Sequence, residues 1–413
     1  MHRDAGPARQ AEAIWQAAVL FLVLLVTIGV YIALGWVVNR LYGEDRPPAM
    51  GALLLLEPEP GAVFQVGLTV PVQAAVLDPG YVQVELDVDG RREAAVGNPD
   101  LQAVPWVAAW SWRDGTQGPH QLVVRATDRG GGVVSSSPLT VTIVPTGQLL
   151  FASNRDGAYA AYSQATDGRD VKRLSLGPGD TRQPRGGPDG TLAFVTEDGQ
   201  GRPRVRLLSA GGQPLEELAG ADPAWSPGGE ALALAATVEG VSQVFVVVPG
   251  GAGRPAPRQI TDEARYAGQP TWSPDGAWLA YVAERDDNWD IWRVPAAGGE
   301  PERLTDDPGI DWAPAWSPDG SRLAFVSDRE GGHQLYLMRA DGSGIQALTD
   351  LPRGAESPAW SPDGFWLAFV GYGGQGTGIN AREIYLIRSD GGHRVRLTTN
   401  GYDDTDVTWL PEP

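Results

Sequence analysis

The chain of 413 residues contains no cysteine. This absence excludes disulfide bonds, thiolate metal sites, cysteine nucleophiles and lipid attachment through a cysteine. It leaves the redox compartment of the protein open.

Basic residues are also few, since 32 Lys and Arg face 51 Asp and Glu and the formal net charge is −19. Binding to nucleic acid requires a basic surface, so this balance argues against a nucleic-acid partner. Acidity of this size favours solubility and leaves an acidic docking face as the alternative.

Signals of common catalytic sites are missing as well. The chain has only four histidines and no Gly-x-Ser-x-Gly motif, so the sequence predicts neither a nucleophile elbow nor a histidine triad. His333 and His393 both follow a Gly-Gly pair at matching places in a repeat, which a repeated surface position explains. We therefore predict that the protein is not an enzyme.

The longest apolar run is Ile14–Val38, and no charged residue occurs between Glu12 and Arg40. About 25 residues at a rise of about 1.5 Å are enough to cross a bilayer core of about 30 Å. The sequence predicts a short tail and membrane anchor over residues 1–43 and a linker over 44–51, with a cleaved signal peptide as the alternative. We expect a cytoplasmic N-terminus and the bulk of the protein outside the cytoplasm.

Residues 52–145 alternate apolar and polar side chains with a period of two. Examples are "YVQVELDVDG" (Tyr81–Gly90) and "HQLVVRATDRGG" (His120–Gly131), and turn residues separate such runs. This pattern predicts an all-β sandwich. Its last two strands resemble those of bacterial immunoglobulin-like modules, a resemblance that implies a spacer or an adhesive surface.

The rest of the chain is repetitive. "PAWSPDG" occurs at Pro314–Gly320 and again at Pro358–Gly364, and the longer units around it recur at a period near 44 residues. Such a period is typical of a propeller blade. Four full copies and two partial ones are Pro223–Ala236, Pro270–Ala283, Pro314–Ser327 and Pro358–Gly371, with Pro184–Thr196 and Val407–Pro413.

One unit reads as four short strands. Ser317–Gly320 fits a type I turn, because Pro fixes φ at its second position and Gly closes it. The strands that follow are apolar on both faces, so a unit must stack on its neighbours to bury them. We interpret Trp316 and its equivalents as packing wedges between units.

The pattern "PxWSPDGxxLAFxSDRxGxxxLYLMxADGSGxxxLT" closely resembles the TolB-like β-propeller repeat from Gly147 onward. The resemblance implies a six-bladed propeller that makes protein–protein contacts in the bacterial envelope. The predicted fold class is therefore all-β, with a propeller over residues 146–413, a β-sandwich before it and one N-terminal membrane helix. Gln148–Leu176 supplies three strands of a blade and strand 406–410 the missing one, so we expect these segments to pair and close the ring.

Trp316 and its equivalents in the other copies are called the anchor tryptophans. Residues three to five positions before each anchor tryptophan are predicted to form the mouth of the central channel. This rim is where we expect an envelope protein or peptide to bind, because its side chains vary on a repeated framework. Its acidic side chains suit a cationic peptide or a metal ion, and solvated loops that bind no ligand are the alternative. The candidate rim residues are Asp222, Gln269, Asp311, Trp312, Glu356, Asp404 and Asp406.

No cofactor is assigned, and calcium is left as a possibility. Asp286, Asn288 and Asp290 are spaced by two, as in calcium loops, but they also fall where a hairpin turn is expected. A calcium- or carboxylate-dependent hydrolase or lyase acting on sugars or lactones is thus the alternative to a membrane-anchored binding scaffold.

Overall fold

The computed structural model describes residues 53–98, 106–175, 180–250, 253–372 and 381–411. The regular secondary structure in these ranges consists of 33 β-strands. This part of the chain contains no helix long and apolar enough to cross a membrane. The predicted tail and anchor (1–43) and linker (44–51) lie outside the described residues.

The region before the repeats forms two sheets that share a core. Their orders are β1-β3-β6 and β2-β9-β7-β4-β5, with β8 paired to β7. Side chains from both sheets, including Trp110 and Leu86, are buried in one cluster. The strands are β1 (Leu53–Glu57), β2 (Val63–Gln65), β3 (Val70–Val76), β4 (Tyr81–Val88), β5 (Arg91–Gly97), β6 (Trp106–Trp112), β7 (Gly118–Asp128), β8 (Val133–Ser135) and β9 (Leu139–Val144).

The repeats contain the other 24 strands. They are β10 (Gln148–Asp156), β11 (Ala158–Ala165), β12 (Lys172–Arg173), β13 (Arg182–Gly186), β14 (Leu192–Glu197), β15 (Pro203–Leu208), β16 (Pro214–Ala219), β17 (Ala221–Trp225), β18 (Leu232–Val238), β19 (Val241–Val247), β20 (Arg258–Gln259), β21 (Tyr266–Trp272), β22 (Trp278–Arg285), β23 (Asn288–Pro295), β24 (Glu302–Arg303), β25 (Asp311–Trp316), β26 (Arg322–Ser327), β27 (Gln334–Arg339), β28 (Gln346–Ala347), β29 (Ala355–Trp360), β30 (Trp366–Tyr372), β31 (Arg382–Arg388), β32 (Arg394–Arg396) and β33 (Asp404–Leu410).

These strands form antiparallel units of four. Three units are the separate sheets β13–β16, β25–β28 and β29–β32, and a fourth has the order β12-β11-β10-β33. Two more, β17–β20 and β21–β24, merge through one parallel pair between Ser242 and Tyr266. The second strand of a unit is buried on both faces, as the fully buried Leu323–Val326 stretch of β26 shows. Burial on both sides requires a neighbouring unit on each side.

The Ser-Pro-Asp-Gly turn that links the first two strands is closed by its own side chains. The N–H of Gly320 donates to the carbonyl oxygen of Ser317 (2.9 Å), and Gly320 has a φ of 69°, which favours glycine. The Asp319 carboxylate accepts from the Ser317 hydroxyl (2.5 Å) and from the N–H of Ser321 (3.0 Å). Chiefly through the Ser317 hydrogen bond, these contacts hold the pKa of Asp319 at about 2.

The C-terminal strand completes the first unit of the repeats. Strand β33 pairs antiparallel with β10, with Leu149 opposite Trp409 and Ser153 opposite Asp404. The segment after residue 403 therefore supplies the missing first strand of the sheet that begins at Gln148, as the strand count in the sequence predicts.

Anchor tryptophans connect neighbouring units. The indole N–H of Trp272 donates to the carbonyl oxygen of Ala224 (3.1 Å), and that of Trp360 to Ala315 (3.0 Å). Trp409 bonds Ala359 in the same way (3.1 Å). In each case the acceptor belongs to the preceding four-stranded unit. These tryptophan side chains therefore pack between neighbouring units as well as facing the interior of the array.

The two-sheet domain contacts the repeats through several side chains. Gln117 accepts a hydrogen bond from the Trp366 indole (2.7 Å) and donates one to Asp363 (2.8 Å). Thr142 is hydrogen-bonded to His393 (2.8 Å), and Val144 belongs to the same core cluster as Trp366. The domain thus lies against the last complete unit and the unit that β33 completes.

Candidate functional site

The first strands of all six units line one cavity of about 550 Å³. Its wall includes the five anchor tryptophans, Trp225, Trp272, Trp316, Trp360 and Trp409. At the sixth equivalent position is Gly186, where an added Cβ would lie 2.7 Å from Leu410 and 2.8 Å from Pro411. The C-terminal segment therefore fills the place of the missing indole.

Each first strand contains a β-bulge three residues before its anchor position. The pairing to the second strand skips there, for example between Trp312 and Ala315 and between Glu356 and Ala359. The bulge residue has a φ between 49° and 56°, the left-handed region that non-glycine residues seldom adopt. The six bulge residues all line the cavity: Gln183, Asp222, Gln269, Ala313, Ser357 and Asp406.

Hydrogen bonds link successive bulges around part of the cavity. The Asp406 carboxylate accepts from the N–H of Gln183 (3.1 Å), and the Gln183 side chain accepts from the N–H of Asp222 (2.9 Å). Asp222 then accepts from the N–H of Gln269 (3.0 Å), whose side chain accepts from the N–H of Ala313 (2.7 Å). The left-handed backbone thus directs the N–H groups of these four bulges toward the preceding unit, where a side-chain oxygen binds each of them.

Arg185 provides the positive charge of the cavity. Burial lowers the pKa of its guanidinium, and the carboxylates of Asp406 and Asp222 oppose that effect. Burial also raises the pKa of Asp222, against hydrogen bonds from Gln269 and Gln183. With Glu356 on the same wall, three carboxylates face one guanidinium, so the cavity is acidic.

A group of aromatic and polar side chains extends outward from Glu356. The Trp312 and His333 rings meet edge to face with centroids 4.8 Å apart, and His333 lies 3.5 Å from the Glu356 carboxylate. The Tyr372 hydroxyl donates to Glu356 (3.3 Å), and burial followed by the Glu356 charge raises the pKa of Tyr372. Tryptophan and tyrosine carry much of the binding energy in protein interfaces, which makes this group a candidate contact surface.

Two of the predicted rim residues do not line the cavity. Asp311 is fully buried and bonded through both oxygens to Arg329 (2.9 and 3.0 Å), and Asp404 is fully buried beside Arg155 (3.1 Å). The prediction of these two as rim residues is wrong, because residues five before the tryptophan lie ahead of the bulge and point into the unit. Asp222, Gln269, Trp312, Glu356 and Asp406 do line the cavity.

The calcium candidates form a hairpin and an ion pair. Strands β22 and β23 are joined at Asp286 and Asp287, both with positive φ, and Asn288 opens the next strand opposite Arg285. Asp290 is fully buried, and its carboxylate binds Arg303 (2.6 Å). The three side chains are therefore not gathered as one ligand set, and the part of the chain that the structure describes holds no group of three or more potential metal ligands.

The sequence did not reveal two features of the cavity. Arg185 lies in the partial copy of the repeat at Pro184–Thr196, and no sequence pattern there identifies it as a residue of the cavity. The role of Gln183 and Ser357 depends on the bulge, and no residue pattern in the first strands marks a bulge. Only the constant spacing of three residues before the anchor position could have indicated this role.

Comparisons with known proteins agree with the repeat pattern. Residues 256–375 match the family described as the TolB beta propeller domain. A TolB homologue from Chlorobium luteolum is 29% identical over 156 residues. The repeats of this chain form a TolB-like propeller.

The similarity covers part of each relative. The Chlorobium luteolum match spans 37% of this chain and 35% of that protein, and a TolB homologue from Chlorobium chlorochromatii is 31% identical over 33% of this chain and 31% of its own length. The chain thus spans about a third of the length of these curated relatives.

Solved structures show the same fold. The crystal structure of TolB from Acinetobacter baumannii aligns with a TM-score of 0.57 at 18% identity, over 72% of this chain and 80% of that one. A putative TolB from Agrobacterium tumefaciens aligns with a TM-score of 0.50 at 24% identity, over 65% of this chain and all of the other. At these identities the likeness concerns the fold.

Proposed function

We propose that the protein is a binding scaffold of the bacterial envelope whose TolB-like propeller engages a protein partner at the mouth of its cavity. The observation that carries this proposal is the set of six bulges, whose backbone conformation is constant while their side chains differ from blade to blade. A constant framework with varied side chains is typical of recognition surfaces on repeat proteins.

The proposed architecture has three parts. Residues 1–43 anchor the protein in the membrane with the N-terminus inside, residues 52–145 form an immunoglobulin-like sandwich, and the six units are the blades of one ring closed by β33. The pairing of β33 with β10 supports the ring, because it joins the C-terminal end of the array to its N-terminal end and gives the first unit its missing strand.

A non-enzymatic role fits the state of the cavity carboxylates. Both oxygens of Asp222 accept hydrogen bonds within the propeller, one from the N–H of Gln269 and one from the Gln183 side chain, so this carboxylate holds neighbouring bulges together. A general acid or base needs a carboxylate free to exchange its proton with a substrate.

Affinity capture from a solubilised bacterial envelope fraction tests the proposal, with the full-length protein in detergent as bait. We expect Trp312→Ala and Glu356→Ala to lose proteins that the wild type retains, and Leu215→Ala to retain them. Leu215 is a suitable control because it is an exposed apolar residue on the fourth strand of its blade, outside the cavity wall. Retention of every partner by both mouth variants would show that the cavity mouth is not the binding site.

A further inference from the structure

The series of hydrogen bonds around the cavity has a gap. Ala313 has only a methyl group, and Ser357 has a hydroxyl on a single carbon, so neither side chain is as long as the four that bind their neighbours. Among the described residues, no side chain accepts a hydrogen bond from the N–H of Ser357 or of Asp406. Both residues share the bulge conformation, with φ values of 52° and 56°.

A complete version of the missing contact occurs elsewhere in the ring. The Gln183 amide accepts from the N–H of Asp222 (2.9 Å) and donates to its Oδ1 (2.5 Å). The Oδ2 atom of Asp222 meanwhile accepts from the N–H of Gln269 (3.0 Å). One amide thus satisfies both the backbone donor and one carboxylate oxygen of the next bulge.

Asp406 repeats the arrangement of Asp222 without the amide. Its Oδ2 accepts from the N–H of Gln183 (3.1 Å) and from the Thr405 hydroxyl (3.3 Å). Its Oδ1 accepts no hydrogen bond from any described residue, and the preceding bulge is Ser357, where Asp222 has Gln183. One residue of the cavity wall therefore has a backbone donor and a carboxylate acceptor, Oδ1, that no described side chain binds.

Only some side chains can bind such a pair. A primary amide has an acceptor oxygen and donor hydrogens in one plane, as Gln183 shows. A carboxylate has acceptors alone and would meet the negative charges of Asp222, Asp406 and Glu356, whereas an ammonium group has donors alone.

We propose that the partner inserts a glutamine or asparagine side chain at the Ser357 gap, where its amide binds Asp406 as Gln183 binds Asp222. This inference rests on the proposed function, since it names the chemistry by which a partner occupies the same mouth.

Four peptides of the form N-acetyl-Gly-Xaa-Gly N-methylamide, with Gln, Glu, Lys or Leu as Xaa, test the proposal. Ligand-observed saturation-transfer NMR on the full-length protein gives their relative affinities. We expect the Gln peptide to bind about tenfold more tightly than the Leu peptide, the effect of two net hydrogen bonds, and more tightly than the other two.

The variant Ser357→Gln supplies the amide from within the chain. Glutamine already adopts this backbone conformation at Gln183 and Gln269, so we expect the variant to melt no lower than the wild type and to lose the preference for the Gln peptide. Ser111→Gln, at an exposed position on β6, should keep it.

Equal binding of all four peptides, or a Gln preference that survives in Ser357→Gln, would overturn the inference. A preference for the Lys or Glu peptide would overturn it too. Each of these results leaves the proposed function standing if Trp312→Ala and Glu356→Ala still lose their captured partners.

Discussion

Replacing Asp311 with alanine should destabilise the propeller while leaving the proposed binding surface at Trp312 and Glu356 in place. The Asp311 carboxylate is fully buried, and both of its oxygens accept a hydrogen bond from one nitrogen of Arg329, whose side chain is only 13% exposed. Removal of one partner from a buried ion pair costs about 3–5 kcal/mol, because it leaves a buried charge without compensation.

The expected size of the effect follows from the contacts that remain. In the variant Arg329 keeps a hydrogen bond to the Ser327 hydroxyl (2.8 Å) and its position over the Phe325 ring. These contacts carry no negative charge, so we expect most of the penalty to persist. A loss of this size lowers Tm by roughly 10 °C in a domain of this size.

Thermal unfolding followed by near-ultraviolet circular dichroism measures this change. Asp350→Ala, an exposed carboxylate in the same blade, should melt within about 1 °C of the wild type, as surface substitutions usually do. The double variant Asp311→Ala with Arg329→Met should recover part of the loss, because no buried charge is left alone. An unchanged Tm in Asp311→Ala, combined with loss of captured partners, would refute this reasoning. It would indicate that Asp311 belongs to the partner-binding rim, as the sequence predicts.

Three further substitutions test other parts of the structure. Trp409→Ala should cost about 3–5 kcal/mol in unfolding experiments, since it removes a buried indole and its bond to Ala359 from the closing strand; a loss below about 1 kcal/mol would argue against closure. Gln117→Ala should increase hydrogen exchange around Trp366, with no change expected if the two-sheet domain does not rest on the propeller. Asp319→Asn should make the free energy of unfolding fall less between about pH 4 and pH 2 than it does in the wild type. The lowered pKa of Asp319 contributes stability that is present above its ordinary pKa of 3.8 and disappears as pH falls toward about 2. An unaltered acid transition would contradict this.

The strand framework of the repeats could be read from the sequence. The Pro-x-Trp-Ser-Pro-Asp-Gly pattern places a turn at each copy and alternating strands after it, and both are local properties of the chain. The pairing of β33 with β10 is long-range, yet it followed from counting strands, because one end had three and the other had one.

The cavity wall could be read only in part. Sequence position relative to the tryptophan located the first strand, but a β-bulge reverses which side chains face the cavity beyond it. Trp312 and Glu356, four residues before the tryptophan, reach the wall, while Asp311, five residues before it, turns inward to Arg329. Four of the six bulges are stabilised by side-chain bonds from the neighbouring blade, which no local pattern reveals.

The contact between the two-sheet domain and the propeller was also not foreseen. Gln117 and Trp366 are separated by 249 residues, and each fits its own strand without the other. A polar loop residue and a repeat tryptophan give no sign of pairing until both domains are folded.

The pairing of β10 with β33 also governs how the chain can be made. During synthesis from the N-terminus, β10 leaves the ribosome some 250 residues before the strand that covers it, so one edge of its sheet stays unpaired while the five other four-stranded units form. An uncovered edge of this kind is a template for pairing with another copy. Nascent chains stalled before residue 404 should therefore self-associate, and a holding chaperone that shields Leu149–Ser153 should suppress that association.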